Sequence, residues 1–244
     1  MSIILLQCIS QSFAQKHAVS EEDYLSWKKI SNQKISEGGE LVSYSLDQLK
    51  GDSYLYIQQS SPFRLDSFER GSAISFPVNQ KFAVFKILPG YDTLRNLKLK
   101  KVKEAKWPKD SLGIFHFSND TLIKVSGLQS FAIAEEGSTL AFIQEIKDVT
   151  KSGLFFSWFN SEKNKSTKKE KTLKVYHSYP LMSFNQSGVR AFSLSPNGDR
   201  IAYIESVNDE NDKSSERLIV KRTKDGEVEN IFSTHQKYMS TVWS

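Results

Sequence analysis

The 244 residues carry 33 Lys and Arg against 28 Asp and Glu, for a formal net charge of +5, and 12% of them are aromatic. So many aromatic side chains exclude a disordered or low-complexity chain, and the length allows either one large all-β domain or two ordinary ones. The single cysteine, Cys8, excludes an intrachain disulfide and a Cys-based metal site, and no apolar run reaches the roughly 18 residues of a membrane span.

The chain opens on a short apolar segment from Ile3 that ends in Ser12-Phe13-Ala14. Small residues three and one before a cut after Ala14 suit a signal peptidase, so residues 1–14 are expected to be a signal peptide. An initiation site further upstream would explain the missing basic start. Residues 15–30 then form an N-terminal segment with one short helix. Ser20 caps it, Glu21, Glu22 and Asp23 place negative charge at its positive end, and Tyr24 and Trp27 share a face expected to pack on the next part of the chain.

Beyond residue 30 the chain reads as strands broken by turns. Tyr54–Ile57, Phe82–Ile87, Leu112–Phe117 and Leu218–Val220 are short, rich in aromatic and β-branched residues, and bounded by Gly, Asn, Asp or Ser. One strand-turn-strand frame recurs. Its clearest copy is Ser195-Pro196-Asn197-Gly198-Asp199-Arg200-Ile201-Ala202-Tyr203, in which Asn-Gly provides the positive φ of a tight turn. Further copies begin at Ser36 and Ala134, and a weaker one at Pro77. A repeat of about 40 residues with four short strands is the spacing of a propeller blade.

The excess length of the second and third units coincides with charge. Arg95, Lys98, Lys100, Lys101, Lys103, Lys106 and Lys109 face only Glu104 between residues 95 and 109. Six lysines stand against two acids between 161 and 174, leaving the rest of the chain acidic on balance. Both stretches are expected to be solvated loops on an acidic body, which argues against a nucleic-acid-binding face. The expected fold is therefore all-β: a partial β-propeller of about four four-stranded blades plus the first strand of a fifth, preceded by the short N-terminal helix. The blades fall at about 31–70, 71–127, 128–187 and 188–238. Residues 239–244 form the stub, which makes the whole of 31–244 an incomplete ring and the chain a fragment.

The segments Asp23-Tyr24-Leu25-Ser26-Trp27-Lys28-Lys29-Ile30, Gly39-Glu40-Leu41-Val42-Ser43-Tyr44, Phe82–Ile87, Lys98–Lys103 and Pro108–Ile114 occur in that order. This series resembles the opening of secreted prolyl oligopeptidase family serine peptidases of Bacteroidetes-type bacteria. The resemblance implies an N-terminal propeller that restricts access to a following α/β-hydrolase domain, so that domain and short peptide substrates are the partners it suggests. It also implies a periplasmic or secreted location.

No catalytic residue can be assigned within the chain, because a nucleophile elbow needs Gly-x-Ser-x-Gly and no such pentapeptide occurs. Glu21-Glu22 reads as helix-start charge and Glu135-Glu136 as a blade turn, so neither stands in for an amine-binding acidic pair. His17, His116, His177 and His235 lack ligand spacing, and no metal or cofactor site is expected. The expected function is a non-catalytic, substrate-gating propeller of a parent hydrolase, the chain alone being inactive. A free-standing scaffold propeller of the cell envelope is the second reading, and a polyanion-binding module acting through the two lysine stretches is the third.

Overall fold

The computed structural model describes residues 19–146, 170–177, 179–208 and 214–234. The expected signal peptide, the stub at 239–244, the histidines at 17 and 235, and the Phe155–Phe159 run lie outside them, as does most of the second lysine stretch. A capped helix, α1 (Glu21–Ser26), leads directly into strand β1 (Lys28–Ile35). Ser20 Oγ accepts from the Asp23 amide while the Asp23 carboxylate accepts from the Ser20 amide, a reciprocal capping box. Trp27 turns the chain to extended geometry, with φ −69° and ψ 134°. Its ring lies 4.8 Å from that of Tyr24, and the pair remains 58% and 47% exposed rather than packing on the body. Both rings of the expected packing face thus stay largely exposed.

The fifteen strands among the described residues follow one antiparallel scheme. β1, β2 (Leu41–Gln48), β3 (Tyr54–Gln59) and β4 (Arg64–Glu69) form the first sheet in sequence order. β5 (Gly71–Ser75), β6 (Phe82–Ile87), β7 (Asp110–His116), β8 (Thr121–Ile133), β9 (Leu140–Ile146), β10 (Glu170–Tyr176) and β11 (Phe184–Ser187) form a second of seven strands. β12 (Val189–Leu194), β13 (Arg200–Asn208), β14 (Ser214–Arg222) and β15 (Val228–Thr234) complete a third. The seven-stranded sheet is two four-stranded units that share one long strand. The first half of β8 pairs with β7 from Thr121 to Ser126, and its second half pairs with β9 from Leu128 to Ile133. Four successive four-stranded antiparallel units result, the build of propeller blades.

The blades hold together by burying both faces of their middle strands. On β6, Ala83, Phe85 and Ile87 pack with Leu41, Leu55, Ile57 and Phe68 of the first unit. Phe82 and Val84 point the other way, into a cluster with Leu128, Leu140 and Phe142. On β9 the alternation repeats, with Ala141 and Ile143 packing against Val189, Ile201 and Tyr203 of the last unit. Because consecutive strand residues face opposite sides, a strand sandwiched between two neighbours must be apolar at every position, as Phe82-Ala83-Val84-Phe85 is.

Two of the expected loops are ordered. After β6 the chain forms helix α2 (Tyr91–Leu99) and a 3₁₀ turn at Glu104–Lys106. Tyr91, Leu94 and Leu97 are its half-buried positions, a short i, i+3, i+6 stripe, and its first amide is held by Asp52 Oδ1 at 2.7 Å. Residues 170–174, expected at the end of the second lysine loop, are instead strand β10, in which Thr172 and Leu173 are buried. Leu173 and Val175 lie on one face of the strand and meet the last blade, while Lys174 between them points to the other face.

Candidate functional site

The frame found in the sequence places four turns at one end of the fold. In each strong copy the first residue makes a backbone hydrogen bond across the turn, Ser36 with Leu41, Ala134 with Thr139 and Ser195 with Arg200, each close to 3.0 Å. Gly39 and Gly198 take φ values of +72° and +75°, and Gln80 takes the same left-handed position at +50° in the weakest copy. The turns also bond to one another in chain order. Ser36 Oγ donates to Gln80 Oε1 at 3.1 Å, the Val78 amide to the Gly137 carbonyl at 3.4 Å, and the Glu136 amide to the Pro196 carbonyl at 3.0 Å. Glu135-Glu136 is thus part of the turn stack.

The strands that lead into these turns, β1, β5, the second half of β8 and β12, lie side by side. β1 contacts β5, and β12 contacts β8. Lys34 on β1 donates to the Ile74 carbonyl and Ser75 Oγ on β5, both at 3.4 Å. A groove of about 310 Å³ runs between the ends of β1, β5 and β8, lined by Lys34, Glu37, Phe76, Val78 and Glu135 among others. A second, of about 380 Å³, separates β5 from β8 and is lined by Ile74, Lys86, Gln129 and Phe131. Of these strands β1 is the polar, accessible one, whereas β5, β8 and β12 each bury a residue, Ile74, Leu128 and Val189. β1 is exposed or half-exposed along its whole length.

The two described histidines are bound into this scaffold. His177 Nδ1 lies 2.9 Å from Thr223 Oγ1 and 3.4 Å from Thr139 Oγ1, and Thr223 Oγ1 donates to the Gly198 carbonyl at 2.6 Å. That chain of contacts ties the third blade to the turn of the fourth. His116 stacks on Tyr179 at 5.1 Å, beside Phe82 and Tyr176. Burial pushes the Tyr176 and Tyr179 phenols above their usual range, as an apolar aromatic cluster should. Tyr203, buried between the last two blades, is pushed up to about 12, chiefly by burial and then by the nearby Glu205 carboxylate. Ser195 Oγ is occupied within its own turn, donating to Asn197 Oδ1 and the Arg200 carbonyl. Each of these candidate chemical groups has a structural partner, and among the described residues no cluster of three His, Cys, Asp or Glu could hold a metal.

The lysine-rich insert is the third feature. Tyr91, Leu94, Val102 and Trp107 line a cavity of about 720 Å³ together with Arg95, Lys98, Lys101, Lys103 and Glu104. The charge is plain in the sequence but the open hollow is not, because the turn that ends α2 depends on Lys101 adopting φ +52°.

No family model and no curated protein matches the chain. Among solved structures it is similar to the β-propeller domain of the Trilobed protease from Pyrococcus furiosus, at 13% identity and a TM-score of 0.47, covering 83% of this chain and 57% of that one. It is also similar to an acylaminoacyl peptidase from Pyrococcus horikoshii, at 15% identity and 0.46, covering 86% and 33%. A third is prolyl oligopeptidase B from Galerina marginata, at 12% and 0.47, covering 88% and 30%. The chain therefore spans between about a third and somewhat over half of the length of these structures.

Proposed function

We propose that the chain is the propeller portion of a secreted or periplasmic prolyl oligopeptidase-like serine peptidase, non-catalytic in itself and serving as the gate through which short peptides reach a following α/β-hydrolase domain. The observation that carries this is the run of inner strands. β1 presents polar and charged side chains along an exposed face, and grooves of about 310 and 380 Å³ open between it, β5 and the second half of β8, while the described histidines and Ser195 are engaged in packing or turn bonds. Such a surface admits and screens a ligand without transforming it. The ordered resemblance of residues 23–44 and 82–114 to that peptidase family agrees with the reading.

Extending the reading frame past Ser244 tests it. Gly-x-Ser-x-Gly followed by Asp and then His, the chain order of α/β-hydrolases, is the expected result. A stop codon directly after further blades would refute it and favour the scaffold reading. Cell fractionation tests the location, since protein confined to the cytoplasm would contradict the expected export.

A further inference from the structure

We infer that the insert between β6 and β7 is a binding site for a small molecule bearing two or more phosphate groups on a flat apolar body. The cavity of about 720 Å³ lies within the roughly 300–1,000 Å³ typical of small-molecule sites. Its charged side has Arg95, Lys98, Lys101 and Lys103 against Glu104 alone. Among the described residues no ion pair joins any of these four cations to a carboxylate, whereas Arg64, Arg200 and Arg222 elsewhere are all paired. Like charges gathered around a concave surface repel, and a multivalent anion would relieve that repulsion while gaining charge-assisted hydrogen bonds. Tyr91, Leu94, Val102 and Trp107 add apolar surface to the same lining. Trp107 is held in place by its indole N–H, which donates to the Val102 carbonyl at 2.9 Å, and so presents a preset ring for stacking.

The backbone adds an independent sign. α2 ends in a turn in which the Lys101 amide bonds the Lys98 carbonyl and the Val102 amide bonds the Leu97 carbonyl, both at 3.0 Å. This six-residue closure places its left-handed residue at position 101, where glycine is the usual occupant. A lysine with φ +52° there carries backbone strain that a glycine would not, and it sets a fourth cation on the lining of the same hollow. The cations gather around one hollow rather than along a continuous stripe, which favours a compact ligand over a nucleic-acid strand.

Titration calorimetry on the full chain, with ATP and with inorganic tripolyphosphate as probes, tests the assignment. Both should bind, ATP more tightly, and Trp107→Leu should remove the difference between them. Lys98→Gln with Lys103→Gln should weaken both about tenfold or more, as expected for the loss of charge-assisted contacts. Lys101→Gly is the deciding variant. It removes a cation while supplying the residue that the turn prefers, so it should weaken binding several-fold with thermal stability unchanged or raised. Lys124→Gln on the exposed side of β8 removes the same charge at a distance and should leave binding intact. The inference fails if neither probe binds at millimolar concentration, or if Lys124→Gln weakens binding as much as Lys101→Gly. It also fails if a single-stranded oligonucleotide outcompetes ATP in the Lys98/Lys103 variant.

Discussion

Replacing Gly127 by alanine should be among the most damaging single-methyl changes available to this fold. Gly127 lies where β8 passes from one blade to the next, at φ +78°, and a Cβ there would stand 2.3 Å from the Glu145 carbonyl oxygen on β9. Left-handed backbone costs a non-glycine residue about 1–2 kcal/mol. A backbone oxygen cannot swing aside as a side chain can, so overpacking adds about 1–3 kcal/mol, for a loss of about 2–5 kcal/mol in all. Gly39→Ala is the matched comparison: φ is +72°, but no atom lies within 4 Å of the added methyl, leaving only the conformational cost of about 1–2 kcal/mol. At about 2–4 °C per kcal/mol for a chain of this size, Gly127→Ala should lower the melting temperature by about 4–20 °C and Gly39→Ala by about 2–8 °C. Differential scanning calorimetry or urea titration of the two variants reads the contrast. Equal losses would refute the close approach of β8 to β9, and with it the division of one strand between two blades.

Phe85→Ala should cost about 3–5 kcal/mol, because the fully buried ring fills the space between the first two blades. Gly113→Ala alone should also destabilise, since its Cβ would lie 2.7 Å from Phe85 Cε2, yet in the Phe85→Ala background that penalty should disappear. A urea double-mutant cycle checks both, and additive losses would contradict the packing. Thr223→Val should cost about 1–3 kcal/mol in the same assay by leaving the Gly198 carbonyl and His177 Nδ1 short of a partner. Tyr203 is raised from the ordinary 10 to about 12 in the folded state, so its protonated form is favoured by folding. Its contribution is complete below pH 10 and is lost as pH rises from 10 to about 12. Alkaline unfolding of Tyr203→Phe, followed by circular dichroism, should show a shallower loss of stability across that interval, and an unchanged slope would refute the burial.

The strands and their turns are legible in the chain because they rest on local chemistry. Asn197-Gly198 and Gly38-Gly39 meet the positive-φ demand of a tight turn whatever surrounds them, and Ser20 with Asp23 caps α1 through atoms three residues apart. The four-fold frame is visible for the same reason. The inner surface is less legible, since nothing local reveals that β1, β5, β8 and β12 stand next to one another.

Other features depend on contacts between distant segments. α2 has no side-chain cap, and its stripe of Tyr91, Leu94 and Leu97 is short, so its helical state rests on the Asp52 anchor and on Val102 and Trp107 closing over it. Seven basic residues in fifteen read as a solvated loop until that closure gathers four of them around a cavity. Tyr24 and Trp27 look like a packing face, yet both stay largely exposed. Lys171 and Lys174 look like loop charge, yet residues 170–176 become a strand by pairing with β9. Turn chemistry and side-chain alternation act over a few residues and so can be read along the chain. Blade order and the shared strand β8 arise from surfaces dozens of residues apart, which meet only when the apolar faces of successive blades leave water.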